Sequence, residues 1–232
     1  MKVAIINFSG NVGKTTIARH LLLPRIKDAE LISIESANAD EGEADALRGK
    51  DFAQLQQYMQ TVDNLVVDIG ASNVEDLLTL MRKFKGSHED FDYYLVPTIS
   101  DVKQQKDTGN TLEKLVEMGV PADKLRIVLN RVEDESKPTE KFGALAAYLA
   151  YNPVATINPA CFISENEIYQ RLKHDGRSIT DLANDKTDYK ALIVKAKDQT
   201  EKLALADKLA VKRLATGVLP ELTACFEALQ LQ

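Results

Sequence analysis

Cysteine is scarce in this chain: there are two, Cys161 and Cys225, in 232 residues. Their separation fits no metal-ligand spacing, and a core role outweighs a disulfide or a nucleophile. The pair reads as small core residues of a reducing compartment. Long apolar runs are missing too, and none approaches the ~20 residues a membrane-crossing helix needs. The first residues enter an apolar stretch behind a single lysine, with no secretory leader visible. Together these absences predict a cytoplasmic location and no membrane span. Nor is there an excess of positive charge: 29 Lys and Arg face 35 Asp and Glu, for a net charge of −6. A protein that grips DNA over a broad surface is more often basic. Any nucleic-acid contact is therefore local, or made through a partner. His20, His88 and His174 lack ligand spacing, and neither an internal repeat nor a low-complexity segment stands out.

What is present is an ordinary globular composition, 44% hydrophobic and 28% charged. The length suits one large domain, or one domain with an appended helical bundle. Short β-branched runs alternate with helical patterns. Strands are expected at Val3–Ile6, Leu31–Ile34, Asn64–Asp68, Tyr93–Val96, Leu125–Leu129 and Val154–Ile157. Helices are expected at 15–23, 43–60, 74–85, from about Ser100 to Met118, at 139–150 and at 165–173. Ser72-Asn73-Val74-Glu75 and Ser164-Glu165-Asn166-Glu167 have the form of capping boxes. This alternation predicts an α/β fold, a mostly parallel sheet flanked by helices. After residue 185 the strands stop. A long helix at 186–214 is expected, broken by Gly217 and Pro220, then a last helix at about 221–230. The predicted division is a nucleotide-binding domain at 1–180 and C-terminal helices at 181–232, packed on it or extending from it.

The densest chemistry lies in Gly10-Asn11-Val12-Gly13-Lys14-Thr15-Thr16. It falls between the first strand and the first helix, the layout of a phosphate-binding P-loop. Glycine lets the backbone turn and bring amide N–H groups to phosphate oxygens. The helix N-terminus adds partial positive charge. Lys14 is placed to reach the β- and γ-phosphates, and the Thr15 hydroxyl to ligate Mg²⁺. The full pattern asks for a further glycine five positions before Gly13, where this chain has Phe8. Ligands of parallel sheets sit at the carboxyl ends of the strands. Glu35, Asp68 and Asn130 fall at such ends. Asp68, followed by Gly70, is placed to bind Mg²⁺ through water.

Asn7-Phe8-Ser9-Gly10-Asn11-Val12-Gly13-Lys14-Thr15-Thr16 resembles the deviant Walker A loop of the ParA/MinD ATPases. Val66-Val67-Asp68-Ile69-Gly70-Ala71 resembles their Walker B strand, and Val128-Leu129-Asn130-Arg131 the strand whose asparagine recognises adenine. Pro153-Val154-Ala155-Thr156-Ile157 resembles the closing strand. Within that family the loop is most similar to StbB-type plasmid stability proteins. The resemblance covers about residues 1–180. It implies a P-loop NTPase fold that binds ATP with Mg²⁺. It also implies a weak ATPase in plasmid stability, segregation, positioning or conjugative transfer, with a DNA-binding partner protein. It carries nucleotide binding onto Gly10 to Thr16, Asn130 and Arg131, and hydrolysis onto Lys14, Glu35 and Asp68. Two departures matter. The family's lysine that crosses a dimer interface falls at Ser9, and its second acid after strand two falls at Ala37, with Asp40 a loose substitute. A homodimer and fast hydrolysis are thereby left open. Two other readings also stay open: a nucleotide-gated adaptor that does not hydrolyse, and a metabolic ligase or kinase on the same fold. The basic groups Lys208, Lys212, Arg213 and Arg171, Lys173, His174, Arg177 are read first as solvated faces. The last helix, with Leu219, Leu222, Cys225, Phe226 and Leu229, is read as core packing or a partner surface.

Overall fold

The computed structural model describes residues 1–34, 49–173 and 176–231. Its strands are β1 (Lys2–Ile5), β2 (Glu30–Ile34), β3 (Leu65–Ile69), β4 (Tyr93–Thr98), β5 (Leu125–Val132) and β6 (Phe162–Ser164). They form one sheet in the order β2-β3-β1-β4-β5-β6. Every neighbouring pair is parallel. A parallel ladder needs a crossover between its strands, and helices supply most of them. The crossovers carry α1 (Lys14–Thr16), α2 (Gly49–Met59), α3 (Val74–Lys83), α4 (Val102–Met118) and α5 (Gly143–Tyr151). α1 runs directly into a π-helical stretch, Ile17–Leu22.

Burial explains the near-continuous apolar strands. All five residues of β3 are buried. Ala4, Ile6, Val67, Ile69 and Val96 join one core with Phe52 and Met59 of α2, Leu77 and Met81 of α3, and Leu112 and Leu115 of α4. Val3, Ile5, Val66, Leu95 and Val128 alternate with these along the strands and are also fully buried. Strands covered on both faces have no place for polar alternation.

The chain divides into two compact units. The first holds residues 1–165 and 225–232, and the second holds 166–224. The second contains α6 (Ile168–Arg171), α7 (Ile179–Ala183), α8 (Tyr189–Lys195) and most of α9 (Gln199–Leu229). In the first unit, Cys225 and Leu229 are buried. There the Arg126 Nε–H donates to the Leu229 carbonyl at 2.7 Å.

Several expected boundaries move. No strand forms at Val154–Ile157; Val154 and Ile157 pack half-buried against the core as irregular chain. The sixth strand is the shorter Phe162–Ser164. α4 is capped by Asp101, whose Oδ1 accepts from Lys103 N–H at 2.8 Å, and not by Ser100. A 3₁₀ turn, Ala71–Asn73, precedes α3, so the N-cap of α3 is Asn73, which makes no side-chain cap bond. Near residue 166 the helix starts only at Ile168, where Asn166 Oδ1 accepts from Ile168 N–H. A true capping box opens α7 instead, between Ser178 and Asp181. The expected helix at 186–214 is split at 196–198, and α9 then runs unbroken through Gly217 and Pro220. The start of the helix expected at 43–60 lies outside the described residues.

Candidate functional site

β1 is a central strand, so the loop that leaves its carboxyl end is held from both sides. Asn11 (φ 60) and Gly13 (φ 93) take left-handed conformations in that loop. At Gly13 only glycine fits, because a Cβ there would lie 2.0 Å from Asn130 Nδ2. The helix follows at once, with Ile17 N–H donating to the Gly13 carbonyl at 3.0 Å. The first backbone N–H groups of a helix have no acceptor within it and face back along the loop. Loop amides of this kind, with a helix start, are a ready anion cradle.

Lys14 is 7% exposed. Its Nζ donates to the Ser9 carbonyl at 2.8 Å and the Asn7 carbonyl at 3.2 Å. Burial lowers its pKa to about 8, and the Asp68 carboxylate opposes that shift. Asp68, the fourth of the five β3 residues, is itself buried. Its Oδ2 accepts from the Thr15 hydroxyl at 2.6 Å. The fold therefore brings an ammonium, a hydroxyl and a carboxylate to one end of β1 and β3. The oxygens of Thr15 and Asp68 are hard donors that suit Mg²⁺.

Asn130, near the end of β5, is buried and donates from Nδ2 to the Val12 carbonyl at 2.8 Å. It thus touches the loop directly. Arg131 next to it is exposed and left-handed (φ 54). A cleft at this end of β4 and β5 is lined by Ser100, Arg131, Glu133, Lys137, Lys141 and Phe142. Gly10, Asn11, Val12 and Thr16 sit in the loop and first helical turn, as expected. Glu35, Ala37, Asp40 and His174 lie outside the described residues.

Sequence reasoning missed the residues behind the loop. Asn7 is fully buried and donates from Nδ2 to Pro97 C=O and to Thr108 Oγ1, both at 2.8 Å. Ser9 is buried, and its hydroxyl donates to Asp107 Oδ2. A signal existed: Thr108 and Thr111 are polar yet fully buried on the core side of α4, beside Leu112 and Leu115.

Two of the basic candidates have partners of their own. Lys212 Nζ donates to Thr187 C=O at 3.3 Å and stands 6.0 Å from the Tyr189 ring centroid. Arg171 pairs with Glu167 and Asp207. Cys161 and Cys225 are buried, as core residues should be. Among the described residues no cluster of His, Cys, Asp and Glu could hold a metal. No described helix is long and apolar enough to cross a membrane.

A parallel sheet with its central strand feeding a glycine-lysine-threonine loop into a helix is the P-loop NTPase fold. Solved structures agree. Apo McdA from Cyanothece is similar to this chain with a TM-score of 0.53 and 17% identity, over 90% of this chain and 98% of that one. The MinC:MinD cell division protein complex of Aquifex aeolicus gives a TM-score of 0.53 and 15% identity, over 93% and 95%. MinD from the same organism gives 0.50 and 15%, over 93% and 97%. No protein-family profile matches the chain. No curated protein sequence matches it either.

Proposed function

We propose that this chain is a ParA/MinD-like P-loop protein that binds ATP with Mg²⁺. One observation carries the reading: buried Lys14 shares the loop end with Thr15, whose hydroxyl meets Asp68 at 2.6 Å. Lys14 is assigned to the β- and γ-phosphates, and Thr15 and Asp68 to the metal, Asp68 by way of water. Bound Mg²⁺ would offset phosphate charge. Loop residues Gly10 to Gly13 form the phosphate cradle. Asn130 keeps its carboxamide oxygen and one N–H for the adenine edge. Arg131 borders that place. Turnover is slow on this reading, because position 9 supplies a serine turned inward and not a mobile cation. Glu35 is the remaining acid assigned to orient water.

The proposed role is in plasmid stability, segregation or positioning in the cytoplasm, with a DNA-binding partner protein. The similar MinD structure includes a complex with MinC, which supports a role exercised through a protein partner. A second reading, an adaptor that binds ATP without hydrolysing it, is favoured by the buried Ser9.

Calorimetric titration tests the nucleotide reading. Lys14→Ala removes charge-assisted contacts worth about 1.5–3 kcal/mol each, so ATP·Mg²⁺ affinity should fall tenfold or more. ATP should also outcompete GTP. Equal affinity in wild type and Lys14→Ala would remove the P-loop assignment. Phosphate release above the Lys14→Ala background then separates the ATPase from the adaptor.

A further inference from the structure

Residues 7–9 lead from β1 into the phosphate loop, and one helix holds all three. Asn7 Nδ2 donates to the Thr108 hydroxyl at 2.8 Å. Phe8 N–H donates to the Thr111 hydroxyl at 3.2 Å. The Ser9 hydroxyl donates to the Asp107 carboxylate. Thr108 and Thr111 give their own protons to the carbonyls of Gln104 and Asp107, each at 2.7 Å. Their lone pairs are thereby left for the loop. Lys103, one turn back in α4, stands 3.7 Å from Asp107 Oδ2.

The same short segment holds Lys14 on its other side, through the carbonyls of Ser9 and Asn7. Position 9 is therefore a two-sided joint: its side chain belongs to α4 and its carbonyl belongs to Lys14. A carboxylate is a stronger acceptor than a neutral group, so the Asp107 bond is the firmest of the three ties to α4. Two of those ties are neutral, and a hydrophobic residue at 107 would leave the buried Ser9 hydroxyl without this acceptor.

We propose that Asp107 is a positioning residue of the nucleotide site. Through Ser9 it fixes the entry of the phosphate loop against α4, and so sets where Lys14 stands when phosphate arrives. Asp107 itself does not touch the nucleotide. A loop already held in its binding shape loses less entropy on binding, which is where the affinity gain arises. This inference rests on the ATP reading above and names a further residue for the same site.

The test is titration of ATP·Mg²⁺ into wild type, Asp107→Ala, Asp107→Asn, Ser9→Ala and the Ser9→Ala/Asp107→Ala double variant. Asp107→Ala is also made in a Lys14→Ala background, and each free protein is melted. Asp107→Ala and Ser9→Ala should each weaken binding about tenfold, the double variant no more than either. Asp107→Asn, whose amide oxygen still accepts, should recover most of the loss. With Lys14 already gone, Asp107→Ala should weaken binding no further. Wild-type affinity in Asp107→Ala would overturn the proposal. So would additive losses, or equal further losses without Lys14, since both describe general loosening. If wild type itself binds no ATP, the nucleotide reading falls and this proposal with it. Intact wild-type binding with an unaffected Asp107→Ala removes this proposal alone.

Discussion

Lys14 shows how a single residue's surroundings set a measurable property of the site. Burial depresses its pKa to about 8 from an unfolded value of 10.5. A phosphate chain needs the charged form, so ATP affinity should hold below pH 7.5 and decline as pH rises through about 8. One unit above a pKa about a tenth of the group stays protonated, which predicts a loss of about tenfold by pH 9. The phosphates do not titrate in this window, since their last pKa is near 6. Titrations from pH 7 to 9 check it, and a profile as flat as that of Lys14→Ala would contradict it. Linkage gives the free protein the opposite trend. Between about 8 and 10.5 the unfolded chain binds the extra proton, so this lysine's contribution to stability rises with pH. Cys161 works against that trend at the upper end, because burial raises its thiol to about 11 and the unfolded thiol ionises first.

Among the elements, α9 departs most from what its sequence suggests. Gly217 and Pro220 are ordinary helix breakers, yet the helix spans Gln199–Leu229 without a stop. Proline at 220 removes the N–H that would bond to the Thr216 carbonyl and crowds that turn. Pro220→Ala should therefore stabilise the protein, by about 1–3 kcal/mol, seen as a higher midpoint in thermal or urea unfolding. A lower midpoint would show that the proline shapes the helix usefully. The break occurs instead at 196–198, where Asp198 Oδ1 accepts from Glu201 N–H at 2.9 Å and Glu201 accepts from Lys197 N–H at 3.0 Å. Local capping at Asp198 outweighed two composition cues. Strands β1, β3, β4 and β5 were legible because burial on both faces demands unbroken apolar runs. β6 was not: its three residues carry little pattern, and Val154 and Ile157 imitate a strand while packing as coil. In the candidate site, the meeting of Lys14, Thr15 and Asp68 at one end of the sheet was legible from residue type and spacing. Asn7, Ser9 and Asp107 were not, because their roles depend on a contact about 100 residues apart in sequence. Asn130 was noticed for the base, whereas its amide nitrogen holds the Val12 carbonyl.

On the scale of the whole molecule, the first unit draws its residues from both parts of the chain. Residues 225–232 belong with the sheet, and within them Cys225 and Leu229 are buried. Removing 225–232 strips apolar side chains from a packed core and leaves Arg126 Nε without the Leu229 carbonyl. A cost of about 3–5 kcal/mol is expected from buried Leu and Cys groups together. Urea unfolding of the shortened protein should show this as a lower midpoint. An unchanged midpoint would mean that the segment adds nothing to the first unit.

That return of the chain also sets a timetable. β1 pairs with β3 and β4, about 60 and 90 residues further on. Parallel pairing at such distances makes folding slow. Synthesis proceeds at roughly 5–20 residues per second. Synthesis runs from the N-terminal side, so the phosphate loop is made well before Leu229, whose carbonyl Arg126 grips. Until β6 has been made, the nascent chain carries a finished loop sequence on an unfinished sheet. Within the first unit, the bond from Arg126 to Leu229 can form only after the final turn of α9 has been made.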